Sequence, residues 1–228
     1  MNKLKIAIPL KTNSTRVHNK NLRPFVGEDS LFDIKAKQLL KVFNPNDIYV
    51  SCEDVNVKPH VEKYGFNFLL RDMDLTPNSA PWSDVIKDIV TKIDDTSDIM
   101  WVQVTQPLFN DFKGVLNKWN EIYNDYDSLT VVQKLRHHIL NEYGMPVNFN
   151  FGYWHKISQE LPSYYFVTWA CFCMKREMLK QCYYNIGRNS YLYDTDINLV
   201  DIDTEDDFEL ASLIYKHNLD KNIGGGQF

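Results

Sequence analysis

The chain has 228 residues, enough to bury a sizeable core, and no Pro-, Gly- or Ser-rich linker interrupts it, so a single domain over residues 1–228 is expected. Its 25 Lys and Arg stand against 30 Asp and Glu, a net charge of −5, which excludes a broad nucleic-acid surface built on phosphate neutralisation and leaves any anionic ligand to a local basic pocket. Only five residues separate Lys5 from Lys11, too few for the apolar core of a signal peptide, and no apolar run approaches a membrane span, so a cytoplasmic location without a membrane segment is expected.

Short β-rich runs alternate with helical periodicity, the pattern of an α/β, Rossmann-like fold with a mainly parallel sheet flanked by helices. The first strand is expected over Lys5 to Leu10. The loop after it, Lys11 to Pro24, carries Lys11, Arg16, Lys20 and Arg23 among hydroxyl and amide side chains. Ligands of open α/β sheets bind outside the carboxyl ends of the strands, so this loop stands where a triphosphate would be held. It lacks the glycines of a Walker loop or a dinucleotide fingerprint, and solvated basic surface is the competing reading. Phe32, Ala36, Leu39, Leu40 and Phe43 then share a helical face, and strands are expected over Asp47 to Ser51 and Phe66 to Leu70. Pro81 suits the first turn of a helix whose buried face is Val85, Ile86, Ile89, Val90 and Ile93. Strands over Ile99 to Val104 and Ser128 to Val132 complete the regular alternation.

Beyond Val132 the pattern gives way to an aromatic-rich region, Tyr143, Phe149, Phe151, Tyr153, Trp154, Tyr164, Tyr165, Phe166 and Trp169. An inserted segment over residues 136–169 is expected here, its rings packing a core or an interface. Cys171 and Cys173 sit two apart on one face of a strand. With Cys52 and Cys182 they lack zinc-site spacing and read as buried free thiols. A last strand, Leu199 to Ile202, runs into Thr204, which caps the closing helix with Asp207 answering three residues later. Asp201 and Asp203 lie two apart on that strand, and two hard oxygen donors suit Mg²⁺; capping the following helix is the alternative. Asp194 and Asp196 read as a polar turn, and the tail from Gly224 to Phe228 as a mobile end.

Taken together these segments resemble the CMP-sialic acid synthetase group, the acylneuraminate cytidylyltransferases, with the CMP-Kdo synthetases as more distant relatives. Ser14-Thr15-Arg16-Val17-His18-Asn19-Lys20-Asn21 is similar to that family's serine-lysine…lysine-asparagine loop. Tyr49 to Glu53 resembles its valine-serine-threonine-aspartate strand end, and Gly65, Arg71, Leu75 and Ala80 follow its middle segment. Val102 to Leu108 resembles its leucine-glutamine-proline-threonine-serine-proline-leucine, and Val200 to Asp207 its closing aspartate-isoleucine-aspartate-threonine-glutamate.

The resemblance implies a CTP-dependent cytidylyltransferase that joins CMP to an acidic sugar or related small acidic acceptor and releases pyrophosphate. It places the nucleotide on Leu10, Lys11, Ser14, Arg16, Lys20, Asn21, Arg71 and Ala80. Mg²⁺ falls to Asp201 and Asp203, which with Lys11 and Lys20 form the catalytic set. Gln103 faces the acceptor, with Thr168 and His138 assigned to the same region. A homodimer is implied, with part of the segment from about Arg136 to Trp169 reaching the partner. Departures are equally informative. Lys11 replaces an arginine and loses its two-pronged grip, and Thr15 replaces a lysine. The arginine that meets the sugar carboxylate in the family aligns with Val167. Lys134, Arg136, His137 or His138 are the candidate replacement cations. A phosphonate or phosphorylated acceptor, a glycosyltransferase using a nucleotide sugar, and a non-enzymatic nucleotide binder are the competing readings.

Overall fold

A computed structural model describes residues 3–14, 16–93, 96–197 and 199–224, with side chains through Lys221. Thr15 and the end of the tail, two positions singled out above, lie outside the described residues. In chain order the elements are β1 (Leu4–Pro9), a short hairpin of β2 (Pro24–Val26) and β3 (Asp29–Ser30), α1 (Leu31–Leu39), β4 (Ile48–Cys52), α2 (Lys58–Glu62), β5 (Asn67–Leu70), α3 (Trp82–Thr91), β6 (Asp98–Val102), α4 (Phe112–Ile122), β7 (Ser128–Leu135), β8 (Tyr164–Met174), α5 (Arg176–Cys182), β9 (Ser190–Asp194) and α6 (Glu205–Gly224).

The main sheet runs in the order β5-β4-β1-β6-β8-β7-β9. Its β5-β4-β1-β6 half is parallel throughout, and β8 alone runs against its neighbours β6 and β7. Period-two alternation decides the layers. On β1, Ile6 and Ile8 enter the core under α1, α2, α4 and α6, whereas Ala7 enters the one under α3 and α5. On β6, Met100 and Val102 take the first side, and Ile99 and Trp101 the second. With both faces covered, these strands read as nearly continuous apolar runs, and each large side chain fully buried there stabilises the fold by roughly 1.5–3 kcal/mol.

The helical faces match the periodicity. Val85, Ile86, Ile89, Val90 and Ile93 are all buried, as are Phe32, Ala36 and Leu39, while Leu40 is 38% exposed at the end of α1. The Thr204–Asp207 cap forms as expected: the Thr204 hydroxyl accepts from Asp207 N at 3.2 Å, and the Asp207 carboxylate accepts from Thr204 N at 2.8 Å.

Four differences have physical causes. Leu199 to Ile202 is not a strand: Ile202 N donates to Thr105 O at 3.2 Å, past the end of β6, rather than to a neighbouring strand. The nearby strand is β9, which ends at Asp194, a residue assigned to a turn. β8 begins at Tyr164 and pairs Leu135 with Tyr164 and Val132 with Val167, so the segment outside the sheet is 136–163. The β7–β8 register is irregular between Thr130 and Val132, and Trp169 takes the left-handed conformation (φ 58°) in that stretch of β8. Cys52, Cys171 and Cys173 are buried free thiols, but Cys182 is exposed, because it ends the short helix α5. Among the described residues no helix is long and apolar enough to cross a membrane.

Asp33 ties α1 to α2. It completes a capping box with Ser30 and also meets His60 Nε2, Lys63 Nζ and Tyr64 OH, at 2.9, 2.9 and 2.6 Å. Burial opposes its charge, yet hydrogen bonds from Ser30, Tyr64 and Lys63 outweigh burial and hold the carboxyl well below its ordinary value of 3.8. A lowered folded-state value means stability that is complete above the unfolded value and is lost progressively as pH falls from there through the folded one. Asp33→Ala is expected to cost about 3 kcal/mol in urea unfolding at neutral pH. It should also flatten the loss of stability seen when wild type is titrated below about pH 4.

Candidate active site

Strand order reverses at β1, whose neighbours are β4 on one side and β6 on the other. The segments leaving β1 and β6 therefore diverge, and ligands of open α/β sheets bind in the crevice this opens. A cleft of about 360 Å³ lies there. Lys11, Arg16, Lys20 and Asn21 enter it from the first loop, Arg71, Asn78, Ala80 and Trp82 from the stretch linking β5 to α3, and Gln103, Val104 and Thr105 from the end of β6. A larger hollow, about 520 Å³, lies around Asp127 and Lys175. It sits at the amino ends of the parallel strands, and its Asp127 carboxylate is occupied by Ser128 Oγ and by Arg188 and Asn189 N–H groups at 2.9–3.0 Å. That arrangement is a structural tie, and the cleft at the strand reversal is the candidate site.

The base of the cleft is braced by a buried ion pair. Arg71 Nη2 donates to Glu53 Oε2 and to Leu10 O, both at 2.7 Å, with the two side chains only 4% and 2% exposed. The other oxygen of Glu53 accepts from Thr12 N and Thr12 Oγ1 at 2.8 Å. Burial raises the Glu53 pKa, but backbone and Thr12 hydrogen bonds and the Arg71 charge reverse the sign and keep it ionised. One carboxylate thus shapes the start of the first loop and orients the arginine. Among the described residues, three buried polar atoms on cleft residues keep no protein partner: Arg71 Nε, a donor, Asn21 Oδ1, an acceptor, and Thr76 Oγ1, which can serve as either. The Asn21 amide is oriented by its Nδ2, which donates to Lys11 O at 2.9 Å.

The first loop also meets the far end of the chain. Arg16 Nη2 lies 2.9 Å from Asp203 Oδ1 and Lys20 Nζ 3.5 Å from the same oxygen, while Lys20 also donates to Ile202 O. Arg23 pairs with Glu205 and lies 4.0 Å from the Phe208 ring centroid, fixing the end of the loop on α6. Asp201 is pushed above the usual carboxylate range, first by crowding from surrounding protein and then by the Asp203 charge, with the Thr105 hydrogen bond and Lys20 opposing. Two carboxylates that repel one another, backed by lysine, form a donor set that fits a hard divalent cation taking one or two carboxylates and filling its shell with water and phosphate. Among the described residues no group of three or more His, Cys, Asp or Glu stands ready to hold a metal.

The structure therefore gathers Lys11, Arg16, Lys20, Asn21, Arg71, Ala80 and Gln103 around one cleft, with Asp203 and Asp201 reached through Arg16 and Lys20. Leu10 is fully buried beneath it and contributes its carbonyl to Arg71. Ser14 is half-buried within the first loop, its N–H on Thr12 O at 3.0 Å. Two positions depart from expectation. Thr168 is 2% exposed with its hydroxyl donated to Val131 O at 2.8 Å, so it secures the irregular β7–β8 register and presents no free hydroxyl. His138 lies in the segment outside the sheet, bonded to Lys156 O at 2.8 Å and stacked on His155 at 4.7 Å. Lys134, Arg136 and His137 line a separate hollow of about 290 Å³ with Asp194 and Asp196. Val167 packs into the apolar layer that holds Trp82 and Trp169.

Sequence reasoning named Glu53 and Thr105 only within motifs and did not reach Asn78 or Trp82. Lys11 Nζ meets Asn78 Oδ1 at 2.9 Å across 67 positions, a contact no local pattern announces.

Comparison with known proteins agrees with this geometry. The family model described as Cytidylyltransferase matches residues 6–152. An N-acylneuraminate cytidylyltransferase of Streptococcus agalactiae serotype III is 24% identical over 214 residues, covering 88% of this chain and 50% of its own length. The chain thus spans about half the length of the curated relatives it matches. Among solved structures, a CMP:2-keto-3-deoxy-manno-octonic acid synthetase complexed with CTP superposes with a TM-score of 0.67 at 14% identity, covering 95% of this chain and 99% of that one. A 4-diphosphocytidyl-2C-methyl-D-erythritol synthase of Anaerococcus prevotii gives 0.63 at 11% identity, covering 94% and 96%. At such identities these structures speak for the fold.

Glu53→Leu strands the Arg71 guanidinium in the interior and is expected to cost about 3–5 kcal/mol in urea unfolding. Adding Arg71→Met should restore most of that loss, and a double variant no more stable than Glu53→Leu alone would show that the pair is not coupled.

Proposed function

The chain belongs to the cytidylyltransferase family, and from that premise we propose that it transfers CMP from CTP to a small acidic acceptor with release of pyrophosphate. The observation that carries this reading is that cations lining the cleft at the strand reversal also meet the closing carboxylates: Arg16 and Lys20 converge on Asp203, 187 and 183 positions away. A triphosphate entering the cleft finds Lys11, Arg16 and Lys20, and these charges offset the one that develops on departing pyrophosphate. The unpartnered Arg71 Nε and Asn21 Oδ1 supply a donor and an acceptor suited to a nucleobase that presents both kinds of group.

In the reaction an acceptor oxygen forms the new bond to the α-phosphorus, and the bond from that phosphorus to the bridging oxygen of pyrophosphate breaks. The protein's part is positioning and charge stabilisation, with no covalent intermediate required. Asp201 and Asp203 are the residues to hold Mg²⁺, which when bound supplies neutralisation of phosphate charge next to the reacting centre. Lys20, braced on Ile202 O and Asp203, keeps the first loop and the carboxylates together. Gln103, held by its N–H on Ala170 O at 3.3 Å, stands at the β6 end of the cleft to face the acceptor.

The acceptor departs from sialic acid. Val167 occupies the place of the carboxylate-binding arginine and is packed among aromatic side chains. Lys134 and Arg136, at the carboxyl end of β7, offer cations on the same edge of the sheet. A lysine–arginine pair serves a phosphate or phosphonate as well as a carboxylate, which keeps a phosphorylated acceptor as the second reading. The family match sets aside the glycosyltransferase alternative.

Outside the sheet, residues 136–163 are ordered by Asn148, which is buried and bonds Ile139 N and His137 O, yet they leave Tyr143, Met145, Phe151, Tyr153 and Trp154 exposed. An apolar patch of this kind supports a homodimer in which this arm covers the partner.

Asp203→Asn and Lys20→Ala should each reduce pyrophosphate release by at least about a hundredfold while leaving thermal unfolding within a few degrees of wild type. Full turnover in both would refute the reading. A panel of CTP, UTP, ATP and GTP against acidic sugars and phosphonates should show CTP consumption with poor turnover of sialic acid. Tyr153→Glu with Trp154→Glu is expected to yield monomers in sedimentation velocity, whereas an unchanged dimer would place the interface elsewhere.

A further inference from the structure

Lys35 sits in the middle of α1 with its side chain fully buried. Its ammonium donates to Gln106 O and Phe109 O, both at 2.9 Å, and lies 5.0 Å from the Phe112 ring centroid. One turn along, Gln38 Nε2 donates to Pro107 O at 2.8 Å. Two side chains of one helix thus hold three carbonyls of the loop between β6 and α4.

A cation so placed is expensive to keep. Burial drives its pKa down to about 7, and an apolar side chain of similar length would fill the space without that penalty. Facing it from β8 is Cys171, while on its own helix Asp33 turns to α2 and Lys37 pairs with Asp29. Both of these Lys35 hydrogen bonds go to backbone carbonyls.

The loop it holds lines the cleft and meets both β8 and the segment that carries the closing carboxylates. Gln103, Val104 and Thr105 line the cleft. Gln106 Nε2 donates to Thr168 O at 2.6 Å, tying the loop to β8. Thr105 O accepts from Ile202 N at 3.2 Å, and the Thr105 side chain hydrogen-bonds Asp201.

We propose that Lys35, seconded by Gln38, is a positioning residue: the pair clamps the β6–α4 loop so that Gln103 and Thr105 face the cleft and Asp201 and Asp203 stay in register with the first loop. The inference rests on the cytidylyltransferase reading for its consequence, but the clamp itself has an independent readout.

The test uses Lys35→Met and Gln38→Met in the full chain, followed by hydrogen–deuterium exchange and by calorimetry with CTP, with and without MgCl₂. Exchange should quicken over residues 103–109 and also over 199–204, and remain at wild-type rates over 10–14 and β4. The CTP Kd without metal should stay within about threefold of wild type, whereas the tightening that Mg²⁺ produces should weaken about tenfold, as when a supporting partner of a metal ligand is removed. Unchanged exchange at 199–204 overturns the proposal, as does a uniform acceleration across the chain, which marks general destabilisation. Should Lys35→Met fail to fold, Lys35→Gln and Gln38→Met carry the same exchange comparison. A wild-type protein that binds no CTP would sink the cytidylyltransferase reading, and the exchange pattern would still judge the clamp.

Discussion

The site depends on one constraint, that β1 pairs in parallel with β4 on one side and β6 on the other. Parallel strands place their carboxyl ends on one edge, and reversal of strand order sends the segments leaving β1 and β6 in opposite directions. The space between them cannot be closed by either segment. The groups that line this gap come from different elements, the first loop after β1, Arg71 after β5 and Gln103 after β6, and the carboxylates ahead of α6 meet the first loop through Arg16 and Lys20.

Holding so many loops in one place requires buried polar ties, and the chain meets their desolvation in two ways. Glu53 and Arg71 are both charged and answer one another, with the remaining carboxylate oxygen filled by Thr12 and one guanidinium nitrogen filled by Leu10 O. Lys35 is answered by carbonyls and an aromatic ring. Both ties fix loop backbone rather than helix or strand. Regular elements satisfy their own N–H and C=O groups, whereas loops rely on side chains to do it. Asp127, which receives N–H groups from Arg188 and Asn189, serves the opposite edge of the sheet in the same manner.

The lower half of the sheet shows a further consequence of loop control. β8 runs against β6 and β7, and its irregular stretch around Trp169 lets the Thr168 hydroxyl turn into the core and Val167 join the aromatic layer. The position at which relatives of the chain are expected to meet a sugar carboxylate is thereby apolar, while the nucleotide end keeps its cations. In the proposed reaction the groups for nucleotide and acceptor stand on different strands, so one set can be altered without disturbing the other.

Much of this was legible without coordinates where the signal is local. The parallel strands, the buried faces of α1 and α3, and the Thr204–Asp207 cap follow from periodicity and from short-range hydrogen-bonding groups, because a residue's neighbours at two, three or four positions are set by the element itself. The cations of the first loop and the two closing aspartates were readable as candidates for the same reason. Which residues meet across long spans was not readable. Glu53 with Arg71, Lys11 with Asn78, Lys35 with the β6–α4 loop and Arg16 with Asp203 are separated by 18, 67, 71 and 187 positions. Nothing in a lysine's own surroundings along the chain tells whether helix packing will bury it, nor that Ile202 N would turn to the Thr105 carbonyl instead of joining a ladder. The sequence by itself determined the kinds of groups available and the elements that carry them; the tertiary structure alone decided which groups were brought together, since burial and partner choice are properties of the packed sheet rather than of any segment.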